Sequence, residues 1–269
     1  MIDIKLDQMP SWILMWLITA LVFFISKIII LILAPQKPKG WRLFAFLFLW
    51  VGMDEKEWLP KDNNVRSSTH SLFKSLLKMI FGGVLLWVIA RQNQNPILAG
   101  WCGMVGLIFV LHFGLFDLCA ILWNKIGIKV RPIMENPAGA TSLTDFWGRR
   151  WNIAFRDLAH IFIFKPLVMK LGTKAALFLS FLFSGVLHDL LISVPAGAGY
   201  GLPTAYFSFQ AIGILLERKL FKNIKSTEKK YARWVFTHFF TIMPAYILFH
   251  PPFVKVVMIP FFQAIGALA

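Results

Sequence analysis

The run AALFLSFLFSGVLHDLLISV, Ala175 to Val194, is almost unbroken apolar sequence. As an α-helix it extends roughly 30 Å, the thickness of a bilayer's hydrocarbon layer. Its two ionisable residues are His188 and Asp189. His188 stands roughly 20 Å along that helix, deep in the apolar layer. An ionisable group at such depth is costly and by default marks a functional site; the plainer alternative is a histidine hydrogen-bonded to a neighbouring helix. Ser184 and Gly185, one turn earlier on the same face, leave room for a close neighbour or a substrate chain. Asp189 lies about 100° further round, so it cannot easily orient the His188 ring.

The rest of the chain agrees with a membrane class. Its 269 residues are 58% hydrophobic and only 15% charged, with a mean hydropathy of +0.66. A soluble domain carries about 25% charged residues. The net charge of +15 sits between apolar runs, as in cytoplasmic loops obeying the positive-inside rule. No nucleic-acid-binding motif interrupts those runs, so nucleic acid is not an expected partner. Cys102 and Cys119 are too far apart on one helix to pair, and no Cys/His cluster has metal spacing. Neither a metal nor a cofactor is expected.

Hydrophobic lengths predict an all-α polytopic transmembrane bundle of about seven spans plus one or two re-entrant or interfacial helices, in one domain over residues 1–269. Met1 to Pro10, with Asp3, Lys5 and Asp7, lacks the positive start of a signal peptide, so Ser11 to Ala34 reads as a retained span in which Lys27 snorkels. Trp41 to Met53 is too short to cross and reads as re-entrant or interfacial. After the polar loop 54–70 come spans at Ser71 to Ala90 and Ile97 to Trp123. Residues 124–158 are basic and stay cytoplasmic, Ala159 to Leu171 is half-buried, and Ala175 to Val194 crosses. A Gly/Pro turn, PAGAGYGLP (Pro195 to Pro203), leads to a returning helix at Tyr206 to Leu216. The basic segment 217–233 is again cytoplasmic, and Trp234 to Phe249 with Phe253 to Leu268 forms a hairpin around His250 to Pro252. Absence of an internal repeat weighs against a transporter built from inverted halves.

A second stretch, TSLTDFWGRRWN (Thr141 to Asn152), is charged and aromatic. Ser142 and Asp145 have capping-box spacing. On one continuous helix, Trp147, Trp151, Phe155 and Leu158 form an aromatic stripe, opposite Asp145, Arg149, Asn152 and Arg156. Two readings fit: an amphipathic helix at the membrane surface, or a polar face turned to a cavity where arginines hold phosphates and Asn152 bonds a reacting group. Among the other histidines, His112 shares a segment with Asp117, while His70, His160, His238 and His250 fall near segment ends, where wet imidazoles are expected. Gln210 points into the bundle, and Glu217 marks a helix end.

SLTDFWGRRWN, FKPL (Phe164 to Leu167) and SGVLHD together resemble the wax synthase branch of the membrane-bound O-acyltransferases. PAGAGYGLPTAYF (Pro195 to Phe207) is similar to bacterial members, and the likeness covers about residues 105–220. The resemblance implies a helical fold around a tunnel, with Asn152 and His188 as the catalytic pair. Asp189 stands where plant members often carry glutamate. The activity so implied is transfer of a fatty acyl group from acyl-CoA, or an acyl carrier thioester, to a lipophilic alcohol. His188 would be general base, and Asn152 would stabilise the oxyanion. Arg149, Arg150, Asp145, Trp147, Trp151, Ser184 and Asp189 would contact substrate. Alternatives are O-acylation of a polar or sugar acceptor, and a non-catalytic channel or transporter with His188 and Asp189 as a proton relay. A bacterial inner membrane is the expected location.

Overall fold

The structure, a computed structural model, describes residues 9–60, 71–222 and 229–269. The acidic and basic residues of the first eight positions, residues 61–70 with His70, and residues 223–228 of the basic segment lie outside them. The described residues form helices and no strands.

In chain order the helices are α1 (Ser11–Leu33), α2 (Trp41–Phe48), α3 (Leu72–Gln92) and α4 (Pro96–Lys125). Then follow the short α5 (Leu143–Asp145) with a π-helical turn (Phe146–Arg150), and α6 (Ile153–Ala196). Last come α7 (Leu202–Leu220), α8 (Lys230–Leu248) and α9 (Pro251–Ala264). Among the described residues, α1, α3, α4 and α6 are long and apolar enough to cross a membrane, and α8 with α9 counts as up to one more. Large apolar side chains face outward, Phe73 at 68% exposure and Ile32 at 67%. That inside-out pattern suits lipid contact.

Four expectations change. The C-terminal hairpin is a pair of helices bent by 63°. Its cause is local: Pro251 and Pro252 start a new helix, and His250 Nδ1 caps it by accepting the Phe253 N–H at 3.3 Å. The half-buried segment and the span after it are one helix, α6, kinked at Gly172, whose φ of 76° an L side chain rarely adopts. Lys27 does not snorkel. It is fully buried, donates to the carbonyls of Phe46 and Trp50, and lies over the Phe46 ring. It thereby satisfies carbonyls at the C-terminal end of α2, a helix of 8 residues that reaches only about 12 Å and cannot span. His250 is also buried, at 1% exposure, rather than wet.

Helices α6 and α7 make the largest helix–helix contact. Gly185 permits it, since a Cβ there would lie 2.5 Å from the Thr204 Cα. One apolar core, including Leu143, Phe181, Phe207 and Phe240, gathers around α7. A second, with Phe46, Trp58, Val130 and Leu158, lies beneath α2 and the start of α6.

Candidate active site

The charged stretch is not one helix. Its first turn forms as its capping pattern predicts, Ser142 Oγ accepting the Asp145 N–H at 2.9 Å. The helix then ends at Arg150: Trp151 is extended, and Asn152 adopts left-handed backbone angles (φ 41°, ψ 65°). The preceding loop braces this break, with Glu135 N–H donating to Arg150 O at 2.8 Å and Ile153 N–H to Ile133 O at 2.9 Å. Asn152 is suited to the position because asparagine tolerates left-handed backbone and caps helices well. Its Oδ1 accepts the Phe155 N–H at 3.2 Å and so starts α6. The single face shared by Asp145, Arg149, Asn152 and Arg156 therefore does not exist. The signal that could have found the break is an asparagine directly before a new apolar-periodic run.

Breaking the helix brings Asn152 to a cavity of about 230 Å³. His188 borders the same cavity, as do Trp147, Trp151 and Ser184. Phe155 links the two polar residues: its amide is held by Asn152, and its ring packs on His188 with centroids 5.0 Å apart. Phe207 covers another side of the imidazole at 4.4 Å. His188 Nδ1 lies 2.7 Å from Ser184 O. A carbonyl only accepts, so Nδ1 carries the hydrogen and the lone pair of the neutral ring is on Nε2. The amide of Asn152, with Oδ1 engaged, has its Nδ2 hydrogens left to donate.

Beside His188 and Asn152 the wall offers little further polarity, its other polar residues being two serines, Thr144, Arg156, His160 and Arg218. Ser180 and Ser184 hydroxyls donate back to the carbonyls four residues earlier, at 2.7 and 3.0 Å. Trp147 is fixed by its Nε1–H to Gln210 Oε1 at 3.2 Å, and Gln210, fully buried, donates in turn to Phe240 O at 2.7 Å.

The remaining expected site residues are placed elsewhere. Asp145, Arg149, Arg150 and Asp189 do not border the cavity. Asp145 accepts from Arg149 Nε at 2.9 Å and Arg150 Nε at 2.5 Å. Arg150 also donates to Asn136 O at 3.1 Å, as a brace of the loop. Arg149 is exposed over 79% of its side chain. Asp189 accepts from Ser193 Oγ and the Gly201 N–H, each at 2.8 Å, and from the Thr204 amide and hydroxyl. It ties the Gly-rich turn to α6, while Ser193 continues to His250 Nε2 at 3.4 Å.

Arg218 escaped the sequence reading, which also gave Glu217 too small a role. Arg156 and Arg218 border the cavity. Glu217 is no mere helix end: buried at 3% exposure, it accepts the Leu143 N–H with both oxygens, at 3.0 and 3.1 Å. It thus caps the helix that carries Trp147, where a carboxylate complements the helix dipole. Its only sequence signal was an acid among basic residues at the end of an apolar helix.

An apolar cavity within membrane-crossing helices, with a histidine and an asparagine converging on it, defines a class of intramembrane polar site. Comparison with known proteins shows what this region is similar to. Residues 130–210, which build most of the cavity, match the membrane bound O-acyl transferase family. The chain is 29% identical over 173 residues to the probable long-chain-alcohol O-fatty-acyltransferase 1 of Arabidopsis thaliana, covering 59% of this chain and 49% of that protein. It is 32% identical over 127 residues to the long-chain-alcohol O-fatty-acyltransferase of Simmondsia chinensis, covering 42% and 35%. Similarity extends to acyl-CoA–sterol O-acyltransferase 1 of Arabidopsis thaliana, at 31% over 94 residues, 32% of this chain and 27% of that one. The likeness first read from the motifs is borne out: the region that builds the site is similar to the membrane bound O-acyl transferases, and the similar proteins include long-chain-alcohol O-fatty-acyltransferases. The chain spans about half the length of the relatives it matches first.

Proposed function

We propose that this protein transfers a fatty acyl group from an acyl thioester, acyl-CoA being the leading donor, to the hydroxyl of a lipophilic alcohol, forming a wax-type ester. The observation that carries this reading is one cavity bordered by both His188 and Asn152. His188 Nε2 removes the alcohol's proton as its oxygen attacks the thioester carbonyl, and Nδ1–H bonded to Ser184 O keeps the ring oriented. Asn152 Nδ2 donates to the carbonyl oxygen as it becomes an oxyanion. Collapse of the tetrahedral intermediate expels the thiolate, which takes the proton held by the imidazolium. Ester and free thiol leave, and the histidine is neutral again.

The wall chemistry supports a lipophilic acceptor over a sugar. The serines on α6 have spent their hydroxyls on backbone carbonyls, so few groups remain to replace a polyol's hydration. At about 230 Å³ the cavity is below the usual 300–1,000 Å³ of whole-ligand pockets. It suits the reacting ends of two substrates, with their chains running on between helices as a tunnel. The proton-relay alternative loses its first link, because Asp189 is engaged by Ser193, Gly201 and Thr204.

We also read the basic loops as cytoplasmic, with α7 and the bent pair bringing the four long apolar helices to about six spans in one domain. The relatives named above come from plants and lend no support to a bacterial inner membrane. Purified protein given palmitoyl-CoA and hexadecanol should yield hexadecyl palmitate and free CoA by mass spectrometry. Ester formation undiminished in His188→Ala would overturn the assignment of the base.

A further inference from the structure

We propose that Arg156 and Arg218 form a phosphate seat in the wall of the cavity, holding the phosphorylated part of the acyl donor while its thioester reaches His188. This rests on the acyl-transfer reading. The cavity has both buried and exposed walls. Among its bordering residues Ser184, Phe181 and Phe207 are buried, whereas Thr144, His160 and Arg218 are exposed. The two arginines come from different helices, α6 and α7, and both border the cavity.

No aspartate or glutamate is among the described residues that border the cavity. A buried guanidinium donor beside an apolar space stays unmet unless an acceptor joins it. Arg156 uses one amino group on Asp157, at 3.1 Å. Its Nε is nevertheless buried without a hydrogen-bond partner among the described residues. Planar guanidinium forks match phosphate oxygens bidentately. The seat also accounts for the phosphate-binding role that the motif arginines do not fill, since Arg150 is a loop brace and Arg149 does not reach the cavity. A phospholipid headgroup offers the same chemistry, so the test separates the two sources.

Full-length protein in non-ionic detergent is assayed for ester formation from hexadecanol with palmitoyl-CoA, and in parallel with S-palmitoyl-pantetheine, which has no phosphate. For Arg156→Gln and Arg218→Gln, the KM for palmitoyl-CoA should rise about tenfold, the loss of one charge-assisted hydrogen bond. Their KM for S-palmitoyl-pantetheine and for hexadecanol should stay at the wild-type value. Arg156→Lys should recover part of the loss, and Arg91→Gln, on the 91–96 turn, should match wild type. Equal KM changes for both donors, or none for either, would overturn the seat. So would an effect that emerges only in phosphatidylcholine vesicles doped with phosphatidylglycerol, which would assign the arginines to a headgroup. If wild type makes no ester from either donor, the acyl-transfer reading fails by itself. Calorimetric titration with free CoA then still tests the seat, which requires about tenfold weaker binding in both variants and fails if binding is unchanged.

Discussion

Two polar clusters share the first turns of α6 and are organised in opposite ways. Arg156 faces the cavity of about 230 Å³ with a buried Nε unpartnered among the described residues. Its neighbour Asp157 turns to a second cluster, where Arg131 donates to Glu57 at 2.8 Å, Asp54 at 2.9 Å and Asp157 at 3.1 Å. That second cluster encloses only about 10 Å³. One cluster keeps Arg156 Nε uncommitted beside empty volume, with an amino group of that arginine on Asp157 at 3.1 Å; the other spends its donors and acceptors on each other. The first arrangement can receive a ligand, and the second can only hold helices and loops together. Buried polar groups therefore indicate function here when they border space with partners still to find.

The largest expected effect tests the uncommitted cluster. His188→Ala should lower kcat for ester formation about 10²- to 10⁴-fold with thermal stability close to wild type. Asn152→Ala should lower it about 10²- to 10³-fold while also costing about 1 to 2 kcal/mol of stability, because Asn152 caps α6 from a left-handed backbone. Loss of stability as large as loss of rate would show that these residues hold the fold instead. The reverse pattern is expected of Arg131→Ala, which leaves three carboxylates without their shared cation. It should cost about 2 kcal/mol, less than a fully buried pair because the Arg131 side chain is 38% exposed. A fluorescence melt in detergent would read it, and the kcat of the folded fraction should be retained.

Glu217→Ala should fall between the two, removing about 1 kcal/mol of helix capping and lowering kcat through displacement of Trp147. Glu217→Gln should restore most of the stability, because one amide oxygen still accepts the Leu143 N–H. The smallest effect concerns pH. Burial pushes the Glu57 carboxyl up from 4.5 to about 7 against the pull of Arg131. The folded state then holds a proton that the unfolded state has released, so this residue's contribution falls as pH rises from about 4.5 to about 7. The melting temperature of Glu57→Gln, measured from pH 5 to 7, should decline less steeply than that of wild type. An unchanged slope would place the titration elsewhere.

Legibility was uneven, and for a consistent reason. The depth of His188, the Ser142 cap and the inability of Asp189 to serve His188 followed from helical rise and rotation alone. Those are properties of a single helix. The break at Asn152 was hidden because the loop 133–135, distant in the helical pattern, supplies the bonds that make it stable. Gly185 and Ser184, indistinguishable as small residues, divide their roles in space: one admits Thr204 and the other borders the cavity.

By itself the sequence determined the membrane class, the apolar lengths and the two motif blocks, since these depend on local composition and on spacing along one helix. Tertiary structure decided which polar side chains were already taken. Lys27 is bound to the end of α2, Glu217 to the start of α5, Asp189 to the Gly-rich turn and Arg150 to its loop. Helical periodicity states the direction in which a side chain leaves its axis; only packing states what lies opposite. For His188 and Asn152, what lies opposite is a shared cavity.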